Sequence, residues 1–119
     1  MRNKLKYAVG AVAMAATVLL SPGTAQAIGD NGSCTTLYGS GTTKARACGN
    51  YWSVGGGNYD GWVAFTSNNG YAQHQVNGGP WYNISGSKGW TGTVDFQNMK
   101  TYYVRVCSNS NGTGCSGKW

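Results

Sequence analysis

The sequence predicts an all-β domain, an antiparallel sandwich clamped by disulfides, and three observations predict it. No stretch beyond residue 27 keeps an apolar period near 3.6 residues, because the chain's twenty glycines and its many Asn, Ser and Thr residues interrupt every candidate helix within a few positions. What recurs instead is short alternation of large and polar side chains bounded by turn residues, the mark of strands. All four cysteines fall after residue 27, and an even count in a short exported chain points to crosslinks.

The export reading comes from the first 27 residues. Arg2, Lys4 and Lys6 form a basic start, Ala8 to Leu20 is a largely apolar run of thirteen, and Ser21-Pro22-Gly23 breaks it. Ala25-Gln26-Ala27 then matches the small-x-small pattern of a signal-peptidase site. Thirteen residues fall short of the roughly 20 that a membrane-spanning helix needs. The expectation is a signal peptide over 1–27, a secreted domain over 28–119, and no stable membrane insertion. The alanine-rich leader has a bacterial look.

Removing 27 of the 119 residues leaves 92, a length suited to one domain. The leader holds three of the nine basic residues, so the remainder carries six against three aspartates, a net charge of +3. Lys44, Arg46, Lys88, Lys100, Arg105 and Lys118 are scattered rather than gathered into a stripe. That distribution argues against nucleic acid as a partner.

Strands are expected in order over Cys34–Tyr38, Lys44–Ser53, Gly61–Thr66, Tyr71–Val76, Trp81–Ile84, Trp90–Phe96, Thr101–Cys107 and Cys115–Trp119. Gly39-Ser40-Gly41 closes the first, and the glycine run of "SVGGGNY" closes the second as a turn. Asn69-Gly70 separates the third from the fourth. Asn-Gly takes the positive φ angles of a type I′ turn at little cost, so "FTSNNGYAQ" reads as the strongest local hairpin signal. Asn77-Gly78 follows the fourth strand. Thr101–Cys107 alternates through Tyr102, Val104 and Val106, and Cys115–Trp119 returns beside it after "SNSNGTG".

Three cysteine pairings are open. Cys34–Cys48 and Cys107–Cys115 are favoured because each joins neighbouring strands across a short loop, worth roughly 2.5–3 kcal/mol apiece by chain entropy. A zinc site is the competing reading, but C-x2-C spacing is absent and His74 is solitary. No metal and no cofactor is expected.

Phe96 precedes Tyr102 by six residues, with Val104 and Val106 alternating beyond. This resembles the tyrosine corner of fibronectin type III and related immunoglobulin-like sandwiches, in which the ring buries at the sandwich edge and the hydroxyl satisfies backbone crossing between sheets. The resemblance implies a single small immunoglobulin-like β-sandwich, although "QNMK" stands where the family places a proline. At the other end, "SCTTLYGS" resembles the start of the streptomycete α-amylase inhibitors, small secreted actinobacterial β-sandwiches with two disulfides. The Trp-Arg-Tyr triplet that carries inhibition in that family has no counterpart in "TTLYGSGTTKARA". The resemblance therefore implies an architecture and no amylase activity.

Catalytic material is scarce. The chain has no glutamate, so paired carboxylates could come only from Asp30, Asp60 and Asp95. His74 is the sole imidazole, no Gly-x-Ser-x-Gly elbow marks a nucleophile, and oxidised cysteines offer no thiolate. No catalytic residue is assigned, and the expectation is a protein that is not an enzyme. Aromatics are the conspicuous resource. Phe65, Phe96 and Tyr102 are expected in the core, with Trp62 or Trp90 beside them. Adjacent pairs such as Tyr51-Trp52, Trp81-Tyr82 and Tyr102-Tyr103 must point to opposite faces of a strand. Surplus aromatics suit a binding surface, because Trp and Tyr dominate interface hot spots. Trp52, Tyr59, Trp81 and Tyr82 are the expected binding residues, with Arg46 as a rim charge. The expected partner is another extracellular protein, met as an inhibitor or an adaptor would meet it. Polysaccharide or cell wall is the alternative, and an antibacterial polypeptide a third reading.

Overall fold

The computed structural model describes Ile28 and residues 31–119. The leader over 1–27 and Asp30 lie outside the described residues. Seven strands follow one another: β1 (Ser33–Tyr38), β2 (Lys44–Gly55), β3 (Asn58–Asn68), β4 (Tyr71–Val76), β5 (Trp81–Asn83), β6 (Gly92–Met99) and β7 (Tyr102–Cys107). They form two antiparallel sheets, one ordered β1-β2-β3-β6 and the other β5-β4-β7. The fold class is all-β, and the division into four strands and three matches that of immunoglobulin-like sandwiches. The chain makes a meander of its first three strands, crosses to pair β4 with β5, returns to the first sheet for β6 and crosses again for β7. No helix among the described residues is long and apolar enough to cross a membrane.

Alternation places the core. Ala45 and Ala47 of β2, Val63 and Phe65 of β3 and Phe96 of β6 face Ala72 of β4 and Tyr102, Val104 and Val106 of β7, all buried. Aromatic bulk compensates for small neighbours: Phe96 stacks on Tyr102 with ring centroids 4.4 Å apart, and Phe65 meets half-buried Trp90 at 6.1 Å. Two further residues reach the core from outside the strands. Ile28 and Trp119 are 3% and 5% exposed, and both reach over Gly49 of β2.

Both expected disulfides form. Cys34 lies directly opposite Cys48 in the β1–β2 ladder, and Cys107 bridges to Cys115. The segment after Cys115 is shorter in regular pairing than the strand the alternation suggests: beyond that bridge it lies beside β7 through Ser116 N–H to Val106 C=O and a reciprocal pair between Val104 and Trp119.

Three expectations need correction. "FTSNNGYAQ" is not a hairpin, because β3 and β4 belong to different sheets. Neither Asn69 nor Gly70 takes a positive φ. Asn69 instead ties the crossing down, its Oδ1 accepting from Lys44 N–H at 2.8 Å and its Nδ2 donating to Thr42 C=O at 2.9 Å. Gly70 is needed for closeness: a Cβ there would lie 2.6 Å from the Cys107 carbonyl oxygen and 2.7 Å from Thr43 Cγ2. The positive-φ pair is Asn77-Gly78, at 52° and 72°, joining β4 to β5.

The second correction concerns length. β2 and β3 pair as far as Gly55 opposite Asn58, well past the ends that alternation marks, with a turn through Gly55, Gly56 and Gly57 at φ of 94°, 66° and 78°. β1 stops pairing at Gly49, so this hairpin runs on beyond its neighbour. The third correction is the tyrosine corner. Tyr102 is buried where the sheets are crossed, but its hydroxyl meets His74 Nδ1 at 2.8 Å rather than backbone. The crossing backbone is satisfied by Asn77, whose Oδ1 accepts from Lys100 and Thr101 N–H at 2.7 and 3.2 Å.

Candidate functional site

A cavity opens at the hairpin end. Inward-facing Tyr51 and Tyr59 sit on the two arms, ring edge to ring face at 5.6 Å. Phe96 and Met99 come from β6, which pairs with β3 in the same sheet, Tyr102 comes from β7 in the facing sheet, and Lys100 sits at the β6–β7 turn. Together they wall a partly open cavity of about 380 Å³ with Ile28 at its floor. That volume is within the range that binds small apolar groups, and its walls are mainly aromatic. Lys100 is the one charged side chain among its lining residues.

The hairpin is braced from β6. Asp60 Oδ1 accepts from Asn98 N–H at 2.8 Å, and Asn58 Nδ2 donates to Asn98 Oδ1 at 2.9 Å. Asn98 itself takes φ 56°, which lets one residue meet both. Asn58 Oδ1 is buried without a hydrogen-bond partner. On the outward face of this braced tip Trp52 is 47% exposed and Val54 46%, with Asp60 opposite Trp52.

The five expected binding residues do not gather in one place. Trp52 and Tyr59 sit on the hairpin, Trp52 opposite Asp60 and Tyr59 opposite Ser53. Arg46 shares the outward face of β2 with Trp52 but lies six residues away, about 20 Å along the strand. Trp81 and Tyr82 belong to β5, on the edge of the other sheet. As alternation requires, they separate: half-buried Trp81 lies under the Arg105 guanidinium at 4.2 Å, while Tyr82, opposite His74, is 62% exposed. Sequence reasoning missed Met99, Lys100 and Thr101. No motif marks them; they reach the site only because β6 ends where the hairpin tip begins.

Reactive groups are dispersed. His74 is half-buried, and burial pulls its pKa below the ordinary 6.5. Its Nδ1 bonds to the hydroxyl of Tyr102, which burial pushes well above the usual phenol range. Asp60 caps Asn98 N–H, and Asp95 stands exposed opposite Trp62 on the outer face of the four-stranded sheet. Among the described residues no group of three or more His, Cys, Asp or Glu could hold a metal ion. No protein family, curated protein or solved structure matches the chain.

Proposed function

We propose that this is a secreted, non-catalytic binding module that recognises another extracellular protein through the β2–β3 hairpin end. Export is supported by the leader pattern of residues 1–27 and by two formed disulfides. The observation that carries the reading is the pairing of a hairpin tip that outruns β1, with Trp52 and Val54 half-exposed, and an aromatic-lined cavity at its base. Such a tip supplies large, stiff anchor residues, and the cavity accepts an apolar side chain from the partner. The bracing of Asp60 and Asn58 on Asn98 holds the tip in place before contact, which lowers the ordering cost of association.

The protein purified from culture fluid is expected to bring a stoichiometric protein companion. Trp52→Ala should weaken that complex by about 2 kcal/mol, roughly thirtyfold, as hot-spot truncations do. Tyr59→Ala should act likewise by opening one cavity wall. A protein that elutes alone, or a Trp52→Ala, Tyr59→Ala double variant that keeps its companion, rules the reading out.

A further inference from the structure

A different set of side chains occupies the outer face of the three-stranded sheet. Register places Trp81, Gln75 and Tyr103 in one row across β5, β4 and β7, and Asn83, Gln73 and Arg105 in the next. Arg105 does not stand up from this face. It lies across β4, its Nε donating to Gln73 Oε1 at 2.9 Å and its guanidinium resting on the Trp81 ring. Gln73, 3% exposed, passes the connection on through Nε2 to Asn83 Oδ1 at 3.0 Å. Asn83 Nδ2 then donates to the Ser110 carbonyl in the loop closed by Cys107–Cys115. A second cation repeats the arrangement: Lys118 Nζ lies 4.5 Å from the centre of the Tyr103 ring.

The rings thus hold two cations flat, with their supports two strand spacings apart, roughly 9.5 Å. Neither cation pairs with a carboxylate among the described residues. Asp60 and Asp95, the two acidic side chains among the described residues, belong to strands of the other sheet. Burial even pulls the Arg105 guanidinium below its ordinary value, and no acidic side chain among the described residues pairs with this partly desolvated charge. A guanidinium fixed by a ring and an amide keeps its remaining N–H edges ready for a planar anion.

We propose that this face binds an anionic glycan, its carboxylate or phosphate groups taken by Arg105 and Lys118 and a hydroxyl by Oε1 of Gln75, whose Nε2 is held by the Gly79 carbonyl. Trp81 and Tyr103 are positioning residues that hold the cations in place. Nucleic acid fits less well, because base stacking needs bare ring faces and here each ring carries a cation. A lipid surface fits less well too, since both rings are half-buried and neither projects for insertion. Tyr103 also lines the hairpin-end cavity, but Trp81, Arg105 and Lys118 do not, so the protein reading above can fail without touching them.

The test is electrophoresis of the oxidised protein through gels containing polygalacturonate or neutral dextran, with phosphatidylglycerol vesicles and single-stranded DNA as parallel probes. Retardation by polygalacturonate, none by dextran, and loss of retardation in high salt are expected. Lys118→Glu, at an exposed position, should weaken binding about tenfold, while Trp52→Ala leaves it unchanged. Arg105→Gln should act in the same direction, with near-ultraviolet circular dichroism confirming that the variant folds. Absence of retardation, equal retardation by dextran, full affinity in Lys118→Glu, or tighter binding to vesicles or DNA than to polygalacturonate would each overturn the proposal.

Discussion

Tyr102 shows how one residue can be legible in its burial and hidden in its bonding. Its spacing from Phe96 marks a ring packed where the chain changes sheets, and the two rings do stack. The hydroxyl's partner, His74, is 28 residues away in sequence, and no local pattern foretells such a contact. The pair has a pH consequence. With its folded pKa below 6.5, His74 stays neutral in the fold at a pH where the unfolded chain already takes up a proton. Its contribution to stability is therefore complete above about pH 6.5 and is lost as the pH falls from there through the lower folded value. Urea unfolding from pH 8 down to pH 5 should show that decline, and His74→Gln should flatten it. Tyr102→Phe should cost about 1 kcal/mol at neutral pH through the lost hydrogen bond. Gly70→Ala belongs to the same scale. Its Cβ would press on the Cys107 carbonyl and on Thr43, so a loss of about 1–3 kcal/mol is expected in the urea midpoint.

Elements were readable where alternation continues to their ends. β7 is the clearest case, with Tyr102, Val104 and Val106 facing in and Tyr103 and Arg105 facing out. Reading stops short where pairing rather than composition sustains a strand. Val54 to Tyr59 looks like loop because of its glycines, yet the ladder persists there through Asp60, Asn58 and their bonds to Asn98. Asn69-Gly70 misleads for the opposite reason: its composition suits a tight turn, but β3 already has β6 beside it, and β4 pairs with β7 in the other sheet. The final segment depends on its clamp. A Cys107→Ser, Cys115→Ser variant should lose about 2.5 kcal/mol, the chain-entropy value for closing an eight-residue separation. Hydrogen exchange at Ser116 and Trp119 should accelerate more than at β2 or β3, since their amides pair only with β7.

At the scale of the molecule, two disulfides and an aromatic core make a sandwich whose faces differ. The four-stranded sheet carries Asp60, Asp95 and Arg46 outward, while the outward face of β4 and β7 carries Arg105 among amides and rings. The β2–β3 hairpin extends the four-stranded sheet past the end of β1. Composition announces a surplus of aromatics but not their grouping. Alternation separates the two members of each adjacent pair, yet only the topology decides that Tyr51 and Tyr59 meet while Trp81 and Tyr82 lie on the other sheet. We propose the hairpin end as the part that another protein grips. The most direct test is hydrogen–deuterium exchange on the isotope-labelled protein, alone and in concentrated culture fluid. Protection confined to residues 51–59 and 99–103 is the predicted result; unchanged exchange throughout, or protection centred on β1 or β4, would contradict it.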